Sequence, residues 1–89
     1  MKVTWYLPVY HELQVGKVFG GKIVATYRTG LFGTPFITIQ DMRKGYNLCR
    51  IDYDKGEFTP EELDTLGENY KLLAELQLDN IRNRHGATV

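Results

Sequence analysis

The sequence contains no serine, a single cysteine and no excess of either charge. Each shortage removes a class of function. Without serine the chain is not a serine hydrolase. With Cys49 alone it forms no intrachain disulfide, whereas a secreted domain of this size ordinarily carries several. A reducing, cytoplasmic setting is therefore expected. Eleven Lys and Arg balance eleven Asp and Glu, which argues against a strongly basic nucleic-acid binder and against an acidic tail. No stretch approaches the ~18–20 apolar residues of a membrane span. Met1–Pro8 holds one lysine and no apolar run of signal-peptide length. Histidine is scarce as well. Neither His11 nor His85 has metal-ligand spacing, and Cys49 has no second cysteine. No metal, no cofactor and no catalytic set of nucleophile, base and orienter is expected.

What is present describes one small α+β domain. Of the 89 residues, 43% are hydrophobic and 25% are charged, the balance of a globular chain. At this length the core is thin, because only roughly 60–65% of the unfolded surface is buried. The chain divides near Phe58. Ten of its eleven aromatics lie at or before that residue, and only Tyr70 follows. Aromatic side chains suit the half-buried surface of a sheet. Residues 1–58 therefore read as sheet and residues 59–86 as helix, within a single domain spanning 1–89.

Val3, Trp5, Leu7 and Val9 alternate with polar or smaller residues, the period of a strand with one apolar face. Pro8 has no N–H to give a ladder, so this strand belongs at an edge or ends early. Leu13–Phe19 and Lys22–Thr29 flank Gly20-Gly21, a hairpin signal. Thr29–Pro35 reads as a loop. Phe36–Asp41 and Tyr46–Tyr53 form two further strands joined by Arg43-Lys44-Gly45. Four or five strands with short connections make an antiparallel meander.

The helix is announced by Thr59-Pro60-Glu61-Glu62. Thr sits at the N-cap, Pro at the first helical position and Glu at the third, which is a capping box. Phe58 and Leu63 occupy the positions of a hydrophobic staple. The early acids oppose the helix dipole, and Arg82, Arg84 and His85 suit its far end. Gly86 suits a C-cap. Such a helix runs about 25 residues, and Gly67 leaves open whether it continues straight, kinks or divides there. At 100° per residue, Leu63, Leu66, Tyr70, Leu73, Ala74, Leu78 and Ile81 share the face expected to cover the sheet. Leu72 and Leu76 fall on nearly the opposite side, beside a stripe formed by Glu61, Asp64, Glu68, Glu75 and Asp79. A helix apolar on two sides packs on two things, so Leu72 and Leu76 are assigned to a homodimer interface.

Three motifs invite chemistry and fail on context. Gly16-Lys17-Val18-Phe19-Gly20-Gly21-Lys22 matches a phosphate loop in spacing. It leads into Ile23 and a strand, where the chemistry needs Ser or Thr and a helix N-terminus. Asp52, Asp54 and Glu62 resemble a calcium loop shortened by one residue, but a strand precedes them where a helix belongs. Cys49 lies on a strand, where cysteine is more often a small buried hydrophobe than a nucleophile.

The most unusual segment is Thr29-Gly30-Leu31-Phe32-Gly33-Thr34-Pro35. Two large apolar residues stand where turn chemistry favours polar ones. Either the loop folds back on the core or it presents Leu31 and Phe32 to a partner. Phe32, flanked by Arg28, is the expected anchor. The sequence thus points to a non-enzymatic protein-binding module, a homodimeric regulator or inhibitor that docks on a larger protein. A second reading is single-stranded nucleic-acid binding through Trp5, Tyr6, Tyr10, Tyr27, Arg28, Tyr46 and Arg50. A third is a small ligand or nucleotide in a dimer crevice. The zero net charge is a sum of +3 over residues 1–58 and −3 over residues 59–89, so the sheet half is mildly basic and the helix half mildly acidic.

Overall fold

In the computed structural model, which describes residues 1–6, 22–42 and 46–86, the alternating segment at the N-terminus forms β1, Lys2–Trp5. Three longer strands follow: β2, Ile23–Thr29; β3, Pro35–Asp41; and β4, Tyr46–Asp52. All pairings are antiparallel, and the order across the sheet is β1-β4-β3-β2. The α+β architecture and the antiparallel sheet are as the sequence implies. The meander proper is β2-β3-β4. β1 crosses to lie beside β4, with Lys2 opposite Asp52 and Trp5 opposite Cys49, and it forms one edge of the described sheet. The expected strand Leu13–Phe19, the Gly20-Gly21 turn, the Arg43-Lys44-Gly45 turn and the continuation of the first strand through Val9 lie outside the described residues.

Strand parity sorts the side chains. Ile37, Ile39, Cys49 and Ile51 point to one face and make the fully buried core, with Leu48, Ala74 and Leu78. Val3 and Trp5 join it as expected, together with Ile23 and Ala25. Phe36, Thr38 and Gln40 alternate with the core isoleucines and so belong to the other face. Between Ile39 and Gln40 the register shifts: Ile39 faces Cys49 and Gln40 faces Asn47, leaving Leu48 as the extra residue of a bulge. The bulge lets two consecutive residues, Leu48 and Cys49, both enter the core. Burial also pushes the Cys49 thiol up to about 11, away from the reactive thiolate.

Helix α1, Pro60–Gly86, is 27 residues long and packs across β2, β3 and β4. Its start is the capping box read from the sequence. The Glu62 amide donates to Thr59 Oγ1 at 3.2 Å, and the Thr59 amide donates to Glu62 Oε1 at 3.0 Å. The helix runs undivided through Gly67, a point the sequence leaves open. Gly67 is buried, and a Cβ on it would lie 2.9 Å from the Tyr27 hydroxyl and 3.2 Å from Ala25 Cβ. Its role is close approach of helix to sheet rather than helix breaking. Leu73 is a correction. It was expected on the sheet-covering face and is 40% exposed. The covered seam centres on the small residues Gly67 and Ala74, which bring the helix axis close, so the covered arc is narrow. Leu73, a further 100° round from Ala74, stays outside it.

Candidate functional site

The β2–β3 connection is a three-residue hairpin loop. The Gly33 amide donates to the Gly30 carbonyl at 3.0 Å and the Gly30 amide donates to the Thr34 carbonyl at 2.8 Å. Gly33 has φ +76°, the left-handed residue that closes this loop type. That geometry leaves Leu31 and Phe32 at the two central turn positions, pointing away from the sheet. They are 99% and 94% exposed. Of the two arrangements open to the sequence, folding back on the core or presentation to the outside, the second is the one formed. The base is rigid, since Thr29 pairs with Pro35 and Arg28 with Phe36 in the ladder.

Arg28, expected to flank Phe32, sits two ladder positions below the hairpin tip. It lies on the sheet face opposite the helix, where it lines an open depression of about 410 Å³ with Tyr6, Phe36, Thr38, Gln40, Asn47 and Arg50. Its parity could have been counted from the sequence: Tyr27 turns to the helix, so Arg28 turns away. Sequence reasoning missed Phe36, Thr38 and Gln40 as members of this face, although they alternate with the apolar run Ile37 and Ile39.

Within the depression, the Arg50 guanidinium carbon stands 3.9 Å above the centre of the Phe36 ring. Arg50 Nε donates to both Asp52 oxygens, at 3.0 and 3.2 Å, and Nη2 is 3.0 Å from Asp52 Oδ1. The arginine is therefore stacked and ion-paired within the chain. A phosphate would have to compete with Asp52 for it. The stacking surface imagined for single-stranded nucleic acid is also thinned. Trp5 packs on Tyr70 of the helix, with ring centroids 5.9 Å apart. Tyr27 hydrogen-bonds to the helix at Leu63 O and Asp64 Oδ1. Tyr10 lies outside the described residues, and Tyr46 is half-exposed at the start of β4.

The shortened calcium loop does not assemble. Asp52 serves Arg50, Glu62 serves the capping box, and the Asp54 amide donates to Glu57 Oε1 at 2.9 Å. That bond holds the Glu57 carboxyl below its ordinary value, with the Met1 amine 3.3 Å away adding to it. Among the described residues no three His, Cys, Asp or Glu side chains gather as a metal would require. The phosphate-loop spacing, apart from Lys22, and His11 fall outside the described residues. The side chain of His85 is likewise outside them. Among the described residues no helix is long and apolar enough to cross a membrane.

The helix face away from the sheet carries Leu72 and Leu76, 64% and 56% exposed, with Leu73 at their side. The sequence assigned the first two to an interface; the structure exposes them and adds the third. Among the described residues, the hairpin tip and this leucine patch each bring adjacent large apolar side chains into solvent. No protein-family model, no curated protein and no solved structure matches this chain.

Proposed function

We propose that the protein is a non-enzymatic binding module, a regulator or inhibitor that docks on a larger protein partner with the β2–β3 hairpin tip. One observation carries this reading: Leu31 and Phe32, adjacent and almost wholly exposed, are held out by a tight turn on a paired ladder. Exposing two large apolar groups wastes burial worth about 1.5–3 kcal/mol each, and the turn pre-organises them, so little ordering cost is left to binding. Phe32 is the anchor that enters a pocket on the partner, and Leu31 seals its rim. The sheet beneath supplies rigidity and no chemistry. The single buried Cys49 suits a reducing, cytoplasmic setting.

The test is a photo-crosslinking amino acid placed at position 31 and, as a control, at the exposed Lys55. The full chain is expressed in its source cells. Position 31 should give an adduct of one discrete protein mass that position 55 does not, and Phe32→Ala should abolish it. Adducts equal at the two positions would sink the proposal. So would co-sedimentation of the purified chain with lipid vesicles that is lost in Phe32→Ala, since the tip would then be a membrane anchor.

A further inference from the structure

The outer face of α1 is a second surface, independent of the hairpin tip, and its charge pattern specifies what covers it. Leu72 and Leu76 are four residues apart and Leu73 and Leu76 three, so the three side chains adjoin over two turns. All are well exposed. One flank of this patch is acidic. Glu68 lies four residues before Leu72, Glu75 three after it, and Glu61, Glu68 and Glu75 repeat at seven, which keeps them in one line. All three are exposed. Asn69 and Asn80 fall between Leu73 and Leu76, and the opposite flank carries Gln77, exposed and uncharged. From Pro60 to Gly86 the helix has six carboxylates and three bases, Lys71, Arg82 and Arg84; Lys71 is engaged with Glu68 at 2.8 Å, and the two arginines follow beyond the leucine patch, in the last turns.

A second copy of the chain complements this face poorly. Two-fold pairing sets like patches together. In an antiparallel helix pair Glu68 and Glu75 would confront the other copy's Glu68 and Glu75. In a parallel pair they would meet the uncharged Gln77 and gain nothing. A helix with an apolar stripe flanked by Lys or Arg answers both the leucines and the carboxylates. We propose that the Leu72–Leu73–Leu76 face of α1 docks a basic amphipathic helix of a partner protein, side by side, with the partner's cations against Glu68 and Glu75.

The probes are two fluorescent amphipathic peptides of about 18 residues, five helical turns, one built from Leu and Lys, the other from Leu and Glu. Each is titrated by anisotropy against the full 89-residue chain. The Leu/Lys peptide should bind, with affinity falling as salt screens the exposed flank, and the Leu/Glu peptide should not. Leu72→Glu with Leu76→Glu should weaken binding at least about a hundredfold, the loss expected from two leucines left unburied. Glu68→Lys with Glu75→Lys should reverse the preference between the peptides. That reversal keeps the test decisive should the leucine variant lose its helical circular dichroism. Equal binding of both peptides, binding of neither, or a preference unmoved by the charge swap would overturn the proposal. So would a light-scattering mass of twice 10.3 kDa that Leu72→Glu with Leu76→Glu returns to one, since a second copy would then occupy the face.

Discussion

Helix α1 has two apolar faces of opposite fate. The inner one, Leu63, Gly67, Tyr70, Ala74 and Leu78, is packed against the sheet. The outer one, Leu72, Leu73 and Leu76, meets water. A leucine contributes to folding on the first face and nothing comparable on the second, although propensity and hydropathy are the same. What differs is the surface opposite. The inner face meets a sheet whose isoleucines at 37, 39 and 51 are completely buried. The outer face has no counterpart among the described residues of the chain. Stability and binding are thus written on different sides of one element.

The largest test of that contrast exchanges one leucine at a time. Leu78→Ala removes a side chain 3% exposed and should cost about 2–5 kcal/mol, transfer plus cavity. Leu76→Ala, half a turn away, should stay within about 0.5 kcal/mol. Urea denaturation of the two variants decides it. Equal losses would mean that the outer leucines are covered in the folded chain and are free for no partner.

The next effect concerns how close the inner face sits. Gly→Ala in an exposed helix interior gains about 1 kcal/mol. At Gly67 the new methyl would stand 3.2 Å from Ala25 Cβ, which is fixed to a strand, and 2.9 Å from the Tyr27 hydroxyl. The tyrosine tip can swing aside, but at the expense of its bonds to Leu63 O and Asp64. Ala25 cannot. Gly67→Ala should therefore destabilise by about 1–3 kcal/mol, the usual range for overpacking. A raised midpoint of thermal unfolding would show that the helix has room above β2.

These two cases also show which features a sequence discloses. The capping box at Thr59 and Glu62 was fully legible, because three neighbouring residues settle it without reference to the rest of the chain. The inner seam was legible at Leu63, Tyr70, Ala74 and Leu78 from helical periodicity. It failed at Leu73, because the width of the covered arc depends on how near the helix lies. Gly67 was legible only in part for the same reason: its local effect is to weaken a helix, while its tertiary role is to admit a sheet. The pairing of β1 with β4 is non-local, and no pattern within either strand marks it. Of the candidate site, Leu31 and Phe32 were visible as misplaced apolar residues. Their exposure depends on Gly33 taking positive φ, one of two outcomes the glycines allowed. Arg28 was joined to Phe32 by adjacency in sequence, while strand parity, which sets its sheet face, went uncounted.

The smallest expected effect lies where the inner face gives way to the acidic flank. Tyr27 donates its single hydroxyl proton between Leu63 O at 3.1 Å and Asp64 Oδ1 at 3.2 Å. Its pKa is raised above the ordinary phenol value, first by desolvation, then by the hydrogen bond to Asp64 and the nearby negative charges. A group whose folded pKa exceeds its unfolded one stabilises the fold fully below the unfolded value. That contribution fades as pH climbs through the folded value. Here the window opens near pH 10 and extends upward, where the phenolate would face Asp64 and Glu68 with no proton to share. Tyr27 is half-exposed, so water screens much of the effect. Cys49, pushed up to about 11 by burial, is common to wild type and variant. Urea midpoints measured from pH 8 to 11 should fall further in the wild type than in Tyr27→Phe, which has no phenol to ionise at this position. Parallel curves would show that the Tyr27 hydroxyl does not tie β2 to the first turns of α1.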